Sequence, residues 1–192
     1  MDHEKILILD FGSQYTQLIA RRVRELNIYC EIRPYNIDIK ITKDIKAIIL
    51  SGSPFSVRDK ESPEINLDII KNKVPILGIC YGAQYIVHNN GGEVIASEIR
   101  EYGRANLTYV DNESDLFKNV SDNSQVWMSH GDTISKLPVN YKVIASTIDV
   151  EIAAYHAKDE DIYALQFHPE VYHTLDGKMI LKNFLIDIVG CK

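Results

Sequence analysis

One cysteine stands where a buried strand is expected to turn into a helix. Residues 74–84 read Val-Pro-Ile-Leu-Gly-Ile-Cys-Tyr-Gly-Ala-Gln, so Cys80 follows an apolar run and lies between Gly78 and Gly82. A continuous apolar run is typical of a strand buried on both faces, and the glycines allow a sharp turn after it. The helix predicted over residues 83–90 directs its positive N-terminal end at Cys80 and favours the thiolate. The pattern therefore predicts a nucleophilic cysteine, although many buried cysteines serve only to pack the core.

A histidine near the other end of the chain could serve as the base that such a nucleophile needs. A free thiol has a pKa of about 8.5, so most of it is protonated at neutral pH. Residues 162–170 read Ile-Tyr-Ala-Leu-Gln-Phe-His-Pro-Glu, an apolar strand that ends at His168. Pro169 keeps His168 extended, and residues two apart in an extended chain share a face, so Glu170 can reach the imidazole. Cys80, His168 and Glu170 together predict a catalytic triad.

Both motifs resemble the signatures of the class I, triad-type glutamine amidotransferases. The signatures are Gly-Ile-Cys-Tyr-Gly-Ala-Gln around Cys80 and Gln-Phe-His-Pro-Glu around His168. Two further stretches, residues 6–25 and residues 126–132 with the sequence Val-Trp-Met-Ser-His-Gly-Asp, resemble the amidotransferase domains of glutamine-hydrolysing GMP synthases. The resemblance covers essentially the whole chain and implies a single amidotransferase domain over residues 1–192.

The resemblance implies hydrolysis of the side-chain amide of L-glutamine to glutamate and ammonia. In this family Cys80 would attack the amide carbon, His168 would transfer the proton, and Glu170 would orient His168. Water would then hydrolyse a glutamyl thioester on the cysteine, so that two easier steps replace one difficult step.

A partner is also implied by the resemblance, namely the ATP-pyrophosphatase (synthetase) domain or subunit of GMP synthase. That partner would use the ammonia to aminate XMP to GMP. We expect no cofactor in this chain, and ATP and Mg²⁺ only in the partner, because the sequence has no phosphate-binding Gly-x-x-x-x-Gly-Lys stretch. The expected origin of the chain is an excised domain rather than a natural separate subunit.

Backbone amides are expected to stabilise the oxyanion that forms during the attack. The amide of Tyr81, the first after the nucleophile, is one predicted donor. By resemblance the second donor comes from residues 51–54, where this chain has Gly52-Ser53-Pro54 in place of the family's Gly-Gly-Pro. Ser53 still supplies an N–H, and Pro54 favours an extended conformation that serine adopts without a positive φ. We therefore predict an oxyanion hole made by Gly52, Ser53 and Tyr81.

Recognition of glutamine requires polar groups for its α-amino and α-carboxylate ends. By resemblance these groups come from Gln84 and from Ser129, His130 and Gly131. Gln84 lies four residues after Cys80, one helical turn further on, and so faces the same side of the helix. The segment of Ser129, His130 and Gly131 could equally form an ordinary polar turn after a strand.

Three other functions fit parts of the pattern. A Cys-His hydrolase of the same fold, such as a γ-glutamyl peptidase, would use the same triad without a synthetase. A non-catalytic module that senses glutamine or binds a partner has no need of a nucleophile and a base. A metal site built from Cys80, His130 and His168 is disfavoured, because their spacing matches no ligand pattern and a zinc-bound thiolate is a poor free nucleophile. We therefore expect no metal.

Composition and charge exclude several classes of protein. The chain has 192 residues, 45% of them hydrophobic, which is enough for one ordinary domain with a sizeable core. A net charge of -6 without a basic block argues against nucleic acid as a partner. The cysteines Cys30, Cys80 and Cys191 form no Cys-x-x-Cys pair, which indicates a reducing compartment. There is no signal sequence and no apolar run of about 20 residues, so we expect a cytoplasmic protein with no membrane partner.

The elements that must position these residues alternate between strands and helices in the first half of the chain. The predicted strands are at residues 6–9, 29–34, 47–50 and 74–79, with a helix from the first strand to about residue 26. This alternation predicts an α/β fold with a mostly parallel, flavodoxin-like central sheet and helices on both faces. After Asn90, antiparallel flanking strands are predicted near residues 93, 107, 126, 143, 152 and 162. A closing helix is predicted over residues 178–189.

Overall fold

A computed structural model of the chain describes residues 3–192, with the backbone alone for residues 99–101. The described strands are β1 Lys5–Asp10, β2 Cys30–Pro34, β3 Ile45–Leu50, β4 Ile76–Ile79, β5 Glu93–Val110, β6 Gln125–Lys136, β7 Lys142–Thr147, β8 Ala154–Ala157 and β9 Ile162–Leu165. The described helices are α1 Thr16–Glu25, α2 Tyr81–Asn89 and α3 Gly177–Lys182, and α3 continues as π-helical turns over Asn183–Ile188. Single turns of 3-10 helix lie at Leu67–Ile69, Asp115–Phe117 and Lys158–Glu160. The strands form one sheet in the order β2-β1-β3-β4-β9-β8-β7-β5-β6.

The strands at one side of the sheet run parallel to one another. β1 pairs with β2 and β3, β3 pairs with β4, and β4 pairs with β9, all in the parallel sense. The order β2-β1-β3-β4-β9 is that of a flavodoxin-like sheet. The α/β fold class and the strands predicted in the first half are confirmed, and their ends differ from the predicted ends by one or two residues.

Two strands of the second half differ from the prediction. The sequence predicts an antiparallel flanking strand at residue 162, whereas β9 lies parallel to β4 in the interior of the sheet. β9 follows β8 in an antiparallel hairpin, and all its residues are buried, so it fits between two other strands. The runs at residues 93 and 107 belong to one long strand, β5, which pairs with β6 and then with β7. β6, β7 and β8 pair antiparallel with their neighbours, as predicted.

Helices cover both faces of the sheet, as predicted. α1 buries Ile19 and Val23 in a cluster with Ile8 of β1, and Phe184 of the C-terminal helix packs in the same cluster. Leu9, the next residue of β1, faces the opposite cluster, where α2 packs against β3 and β4. Within the described residues, none of these helices combines the length and the hydropathy that a membrane crossing requires.

The carboxyl ends of four parallel strands bring the turns that follow them to one edge of the sheet. β1 is followed by residues 12–15, β3 by residues 51–54, β4 by Cys80 and β9, three residues on, by His168. In open parallel sheets, ligands bind at this edge. Residues that lie far apart in the sequence therefore meet here.

Candidate active site

Cys80 occupies a strained turn between β4 and α2. Its backbone has φ 53° and ψ −105°, and its amide donates to the backbone oxygen of Leu165 at 2.8 Å. Among the described residues, every other non-glycine residue with a positive φ is an asparagine or an aspartate, the types that adopt this conformation most readily. A buried cysteine in such a conformation is held there by its surroundings. The predicted nucleophile elbow is therefore present, and α2 begins at Tyr81, two residues earlier than predicted.

The two glycines beside the cysteine have a different role from the predicted one. We expect from the sequence that Gly78 and Gly82 allow the chain to turn, but neither has a positive φ. They allow close packing instead. A Cβ at Gly82 would lie 2.6 Å from the backbone oxygen of Leu50, and a Cβ at Gly78 would lie 2.9 Å from the amide nitrogen of Ala83. The strain of the turn is therefore carried by Cys80, and the glycines let α2 approach the sheet.

His168 and Glu170 form a buried pair. Nδ1 of His168 lies 2.6 Å from Oε1 of Glu170, and both side chains are buried. The backbone of His168 is fixed as well, because its amide donates to Trp127 at 3.0 Å and its carbonyl accepts from Oγ1 of Thr174 at 2.6 Å. Arg22 of α1 donates to the backbone oxygen of Glu170 at 3.1 Å. Since Nδ1 is occupied, Nε2 is the ring nitrogen left for the hydrogen bond between His168 and Cys80.

The environment of His168 favours its protonated form. Burial by itself lowers the pKa of the imidazole, but the carboxylate of Glu170 and the sulfur of Cys80 outweigh it. The pKa of His168 is therefore raised well above its ordinary value. An imidazole that holds a proton strongly beside a cysteine is the partner that an ion pair of thiolate and imidazolium requires.

The sulfur of Cys80 has two further polar neighbours. Sγ lies 3.6 Å from the backbone oxygen of Ser129, and Nε2 of Gln166 lies 3.7 Å from Sγ. Gln166 was not predicted as a site residue, although it is the first residue of the Gln-Phe-His-Pro-Glu signature around His168. Its place in that signature is the signal that could have identified it.

Of the residues predicted to form the oxyanion hole, Tyr81 directly follows Cys80, and a Cβ at Gly52 would lie 3.7 Å from Cβ of Cys80. Ser53 and Tyr81 line the cavity, and the N–H groups of Gly52, Ser53 and Tyr81 donate no hydrogen bond within the described residues. Ser53 has no positive φ, as predicted from Pro54, so the serine is accommodated without strain. Residues 51–54 are tied to α2 by the backbone, because the amide of Gly82 donates to the backbone oxygen of Ser51 at 3.1 Å. We call residues 51–54 together with Cys80 and Tyr81 the elbow wall.

Gly52 lies against the catalytic pair rather than in the lining of the cavity. A Cβ at this position would be 3.3 Å from Cε1 of His168 and 3.7 Å from Cβ of Cys80. It would also be 3.4 Å from Oγ of Ser13. Any side chain at position 52 would therefore press on the imidazole.

The opposite side of the cavity is formed by residues 129–132 of β6, which we call the hairpin wall. The predicted residues Ser129, His130 and Gly131 all line the cavity, as does Gln84. Nε2 of Gln84 donates to the backbone oxygen of Asp132 at 2.9 Å, and Nδ1 of His130 lies 2.6 Å from the same oxygen. Because a carbonyl only accepts, Nδ1 of His130 carries the proton. Burial lowers the pKa of His130, and the bond to Asp132 only partly opposes it, so the surroundings favour the neutral imidazole.

A charged side chain of the hairpin wall also lines the cavity. Asp132 is buried, and its carboxylate forms an ion pair with Nη2 of Arg58 at 2.9 Å and accepts a short hydrogen bond from Ser56. Both partners lie in the loop after residues 51–54. Asp132 and Arg58 were not predicted as site residues, because only the fold brings this loop to β6.

The cavity has a volume of about 760 Å³. Besides the residues already named, the turn after β1 lines it, and the ring of Tyr15 stands edge-on to the ring of His168 at a centroid distance of 5.2 Å. No residue of that turn is among the predicted site residues, so its position at the site is a finding of the structure. The lining residues are Gly12, Ser13, Gln14, Tyr15, Ser53, Pro54, Phe55, Ser56, Arg58, Cys80, Tyr81, Gln84, Ala96, Ser97, Tyr102, Ser129, His130, Gly131, Asp132 and His168.

Comparison with known proteins identifies the class of enzyme. The sequence profile described as glutamine amidotransferase class-I matches residues 7–188, so the chain belongs to the class-I glutamine amidotransferase family. A GMP synthase (glutamine-hydrolyzing) of Cytophaga hutchinsonii is 59% identical over 188 residues, covering 98% of this chain and 37% of the relative. A protein of the same name from Christiangramia forsetii is 60% identical over 190 residues, covering 97% and 37%. The chain thus spans 37% of the length of these curated relatives.

Solved structures support the fold. A candidate GMP synthase subunit from Thermoplasma acidophilum superimposes with a TM-score of 0.82 at 32% identity, covering 97% of this chain and 94% of that chain. A glutamine amidotransferase from Thermotoga maritima superimposes with a TM-score of 0.73 at 20% identity, covering 97% and 85%. The second likeness shows the fold alone.

Within the part of the chain that the structure describes, no group of three or more His, Cys, Asp or Glu residues could hold a metal ion.

Proposed function

We propose that this chain is the glutaminase part of a glutamine-hydrolysing GMP synthase. The observation that carries the proposal is the position of Cys80 in a strained turn beside a buried imidazole that a buried carboxylate orients. Backbone strain of this kind is typical of functional sites. The relatives named GMP synthase support the choice of the overall reaction.

The proposed reaction proceeds through a thioester. His168 takes the proton of Cys80, and the sulfur attacks the side-chain amide carbon of glutamine. His168 then gives a proton to the departing nitrogen, which leaves as ammonia. Water hydrolyses the glutamyl thioester with His168 as the base, and glutamate leaves. Glu170 keeps the proton of the imidazole on Nδ1 and stabilises the charged ring.

Two backbone amides are available for the negative charge that develops on the amide oxygen. Ser53 and Tyr81 line the cavity together with Cys80, and their N–H groups donate no hydrogen bond within the described residues. They are held in place before the charge develops, and losing one such donor typically costs about 100- to 1000-fold in rate. We assign the oxyanion hole to these two amides, with Gly52 keeping the turn close to the triad.

The hairpin wall is our proposal for binding the charged ends of glutamine. Both N–H groups of Gln84 are used, one by Asp132 and one by Gln166, so its Oε1 is left to accept from the α-ammonium group. The carboxylate of Asp132 adds a negative charge in the same cavity. Ser129, His130 and Gly131 supply further contacts there.

A synthetase domain or subunit is the proposed consumer of the ammonia. It would bind ATP and Mg²⁺ and aminate XMP to GMP, in the part of the relatives that this chain does not span. We propose a cytoplasmic location, because a reactive thiol needs a reducing compartment.

The nucleophile is tested by release of glutamate from L-glutamine and by labelling with a diazo-ketone analogue of glutamine. We expect the label on Cys80 alone and no measurable turnover in Cys80→Ala. Cys30→Ala is the matched control, since Cys30 is buried against α1 and its loss leaves the cavity intact. A label on Cys30 or Cys191, or turnover in Cys80→Ala, would contradict the proposal.

The overall reaction is tested by mixing the chain with the synthetase region of the Cytophaga hutchinsonii relative. With ATP, Mg²⁺ and XMP, we expect GMP to form with glutamine as the nitrogen donor, and Cys80→Ala to abolish this. Free ammonia is the control, because it should support GMP formation without this chain. Cleavage of γ-glutamyl peptides at a comparable rate, with no GMP from glutamine, would favour a γ-glutamyl peptidase instead.

A further inference from the structure

The orientation of a buried side-chain amide is fixed by one backbone oxygen. Nε2 of Gln84 lies 2.9 Å from the backbone oxygen of Asp132, and a carbonyl only accepts, so the nitrogen and not the oxygen of Gln84 must face it. The same nitrogen lies 3.0 Å from Oε1 of Gln166. Gln84 therefore requires that Gln166 present its oxygen on this side.

With its oxygen held by Gln84, Gln166 presents its nitrogen on the other side, toward the cysteine. Nε2 of Gln166 lies 3.7 Å from Sγ of Cys80. The opposite orientation would place two amide nitrogens against each other and the oxygen of Gln166 against the sulfur. Gln166 is 1% exposed, so solvent does not compensate a wrong orientation.

The two other polar neighbours of the sulfur act in opposite directions. The backbone oxygen of Ser129, 3.6 Å from Sγ, accepts the S–H and so favours the thiol. The amide N–H of Gln166 donates to the sulfur and so favours the thiolate. Once His168 has taken the proton, Gln166 is the neutral donor that remains on the sulfur.

We propose that Gln166 belongs to the catalytic site, where its side-chain N–H donates a hydrogen bond to the sulfur of Cys80 and stabilises the thiolate. Gln84 and the backbone oxygen of Asp132 fix the orientation of the Gln166 amide. Gln84 is in this respect a positioning residue, because it acts on the sulfur only through Gln166. The inference rests on the proposed role of Cys80 as the nucleophile. It adds to the triad a hydrogen-bond donor that acts directly on the sulfur of Cys80.

The rate of alkylation of Cys80 by iodoacetamide, followed from about pH 5 to about pH 10, reports the thiolate without any glutamine. Gln166→Met keeps the size of the side chain and removes the donor. We expect the midpoint of its pH–rate profile to move up by about one pH unit, which is about tenfold less thiolate at neutral pH. Gln166→Glu keeps the oxygen that accepts from Gln84 and places a second oxygen at the sulfur, so a larger shift is expected. The site of alkylation is identified by peptide mass, since Cys30 and Cys191 are also present.

Gln125→Met is the matched control. It removes the hydrogen bond that Nε2 of Gln125 donates to the backbone oxygen of His173 at 2.8 Å, and Gln125 does not line the cavity. Its profile should superimpose on that of the unchanged chain. A superimposable profile in folded Gln166→Met, checked by thermal unfolding, would overturn the proposal. If the methionine variant does not fold, an unchanged midpoint in Gln166→Glu overturns it as well. Glutaminase activity is measured separately on the unchanged chain. Absence of that activity would contradict the proposed function, whereas an unchanged alkylation profile in the Gln166 variants would contradict only the role of Gln166.

Discussion

The two walls of the cavity are built in different ways. The elbow wall is held by the backbone, through the bond from Gly82 to Ser51 and through glycines that leave no room for a side chain. The hairpin wall is held by side chains, because Gln84 reaches the backbone of Asp132 and Arg58 reaches its carboxylate. A backbone-held wall keeps fixed amides for a charge that appears only during the reaction. A side-chain-held wall can be adjusted to a substrate by single substitutions.

The largest expected contrast compares Gly82, which donates to the elbow wall at Ser51, with Gly131 of the hairpin wall. In Gly82→Ala the new Cβ would meet the backbone oxygen of Leu50 at 2.6 Å, so we expect a loss of about 3 kcal/mol or more in the free energy of unfolding. In Gly131→Ala the nearest atom is the hydroxyl of Tyr102 at 3.8 Å, so the change should stay within about 1 kcal/mol. Urea unfolding of both variants measures this. Equal losses would show that the two walls do not differ in this respect.

A second substitution tests the elbow wall without unfolding it. In Gly52→Ala the Cβ would lie 3.3 Å from Cε1 of His168, close enough to displace the ring by a few tenths of an ångström. We expect kcat for glutamine hydrolysis to fall by about 10- to 100-fold, with KM changed much less. Ser53→Ala keeps the backbone N–H and should lose less than about threefold. A larger loss of kcat in Ser53→Ala than in Gly52→Ala would show that the hydroxyl of Ser53, and not its backbone amide, contributes to catalysis.

The hairpin wall should respond in KM. Asp132→Asn removes the negative charge that faces the cavity, and we expect KM for glutamine to rise by about tenfold or more with a smaller change in kcat. Arg58→Gln removes the cation, which is 45% exposed, but leaves the buried carboxylate of Asp132 with only the hydrogen bond from Ser56 among the described residues, so the free energy of unfolding should fall by about 1–3 kcal/mol. Steady-state kinetics and urea unfolding separate these effects. A fall in kcat with unchanged KM in Asp132→Asn would show that Asp132 contributes to the chemical step and not to substrate binding.

The smallest expected contrast is in the titration of two buried histidines. The pKa of His168 is raised, so its contribution to stability is present below its ordinary pKa and is lost as the pH rises through its folded pKa. The pKa of His130 is lowered, so its contribution is present above the ordinary pKa of about 6.5 and is lost as the pH falls toward the folded pKa. NMR titration of the imidazole carbons should show the pKa of His168 above, and the pKa of His130 below, the ordinary imidazole value. In Cys80→Ala the pKa of His168 should fall, because one of its two stabilising neighbours is gone.

Local patterns predicted the elements and motifs of this chain but not how distant segments meet. The turn at Cys80 and the pair of His168 with Glu170 are encoded within a few residues, so their existence could be predicted from the local sequence. The role of Gly78 and Gly82 could not, because they serve the packing of α2 and Cys80 itself adopts the positive φ. The direction of β9 was predicted wrongly, because a short buried run looks the same in a parallel and an antiparallel pair. The contacts of Gln166 with Cys80 and of Arg58 with Asp132 depend on that long-range pairing, so the sequence alone could not supply them.

The interior position of β9 also bears on the order in which the protein becomes active. Of the described strands β9 is the last to be synthesised, yet it lies between β4 and β8. Pairings between segments so distant in sequence form slowly, since a long loop must close first. His168 arrives with this strand, whereas Cys80 is made much earlier. A growing chain on the ribosome therefore carries the nucleophile for some time without its base, and Cys80 lacks the activation by His168 until the sheet is completed.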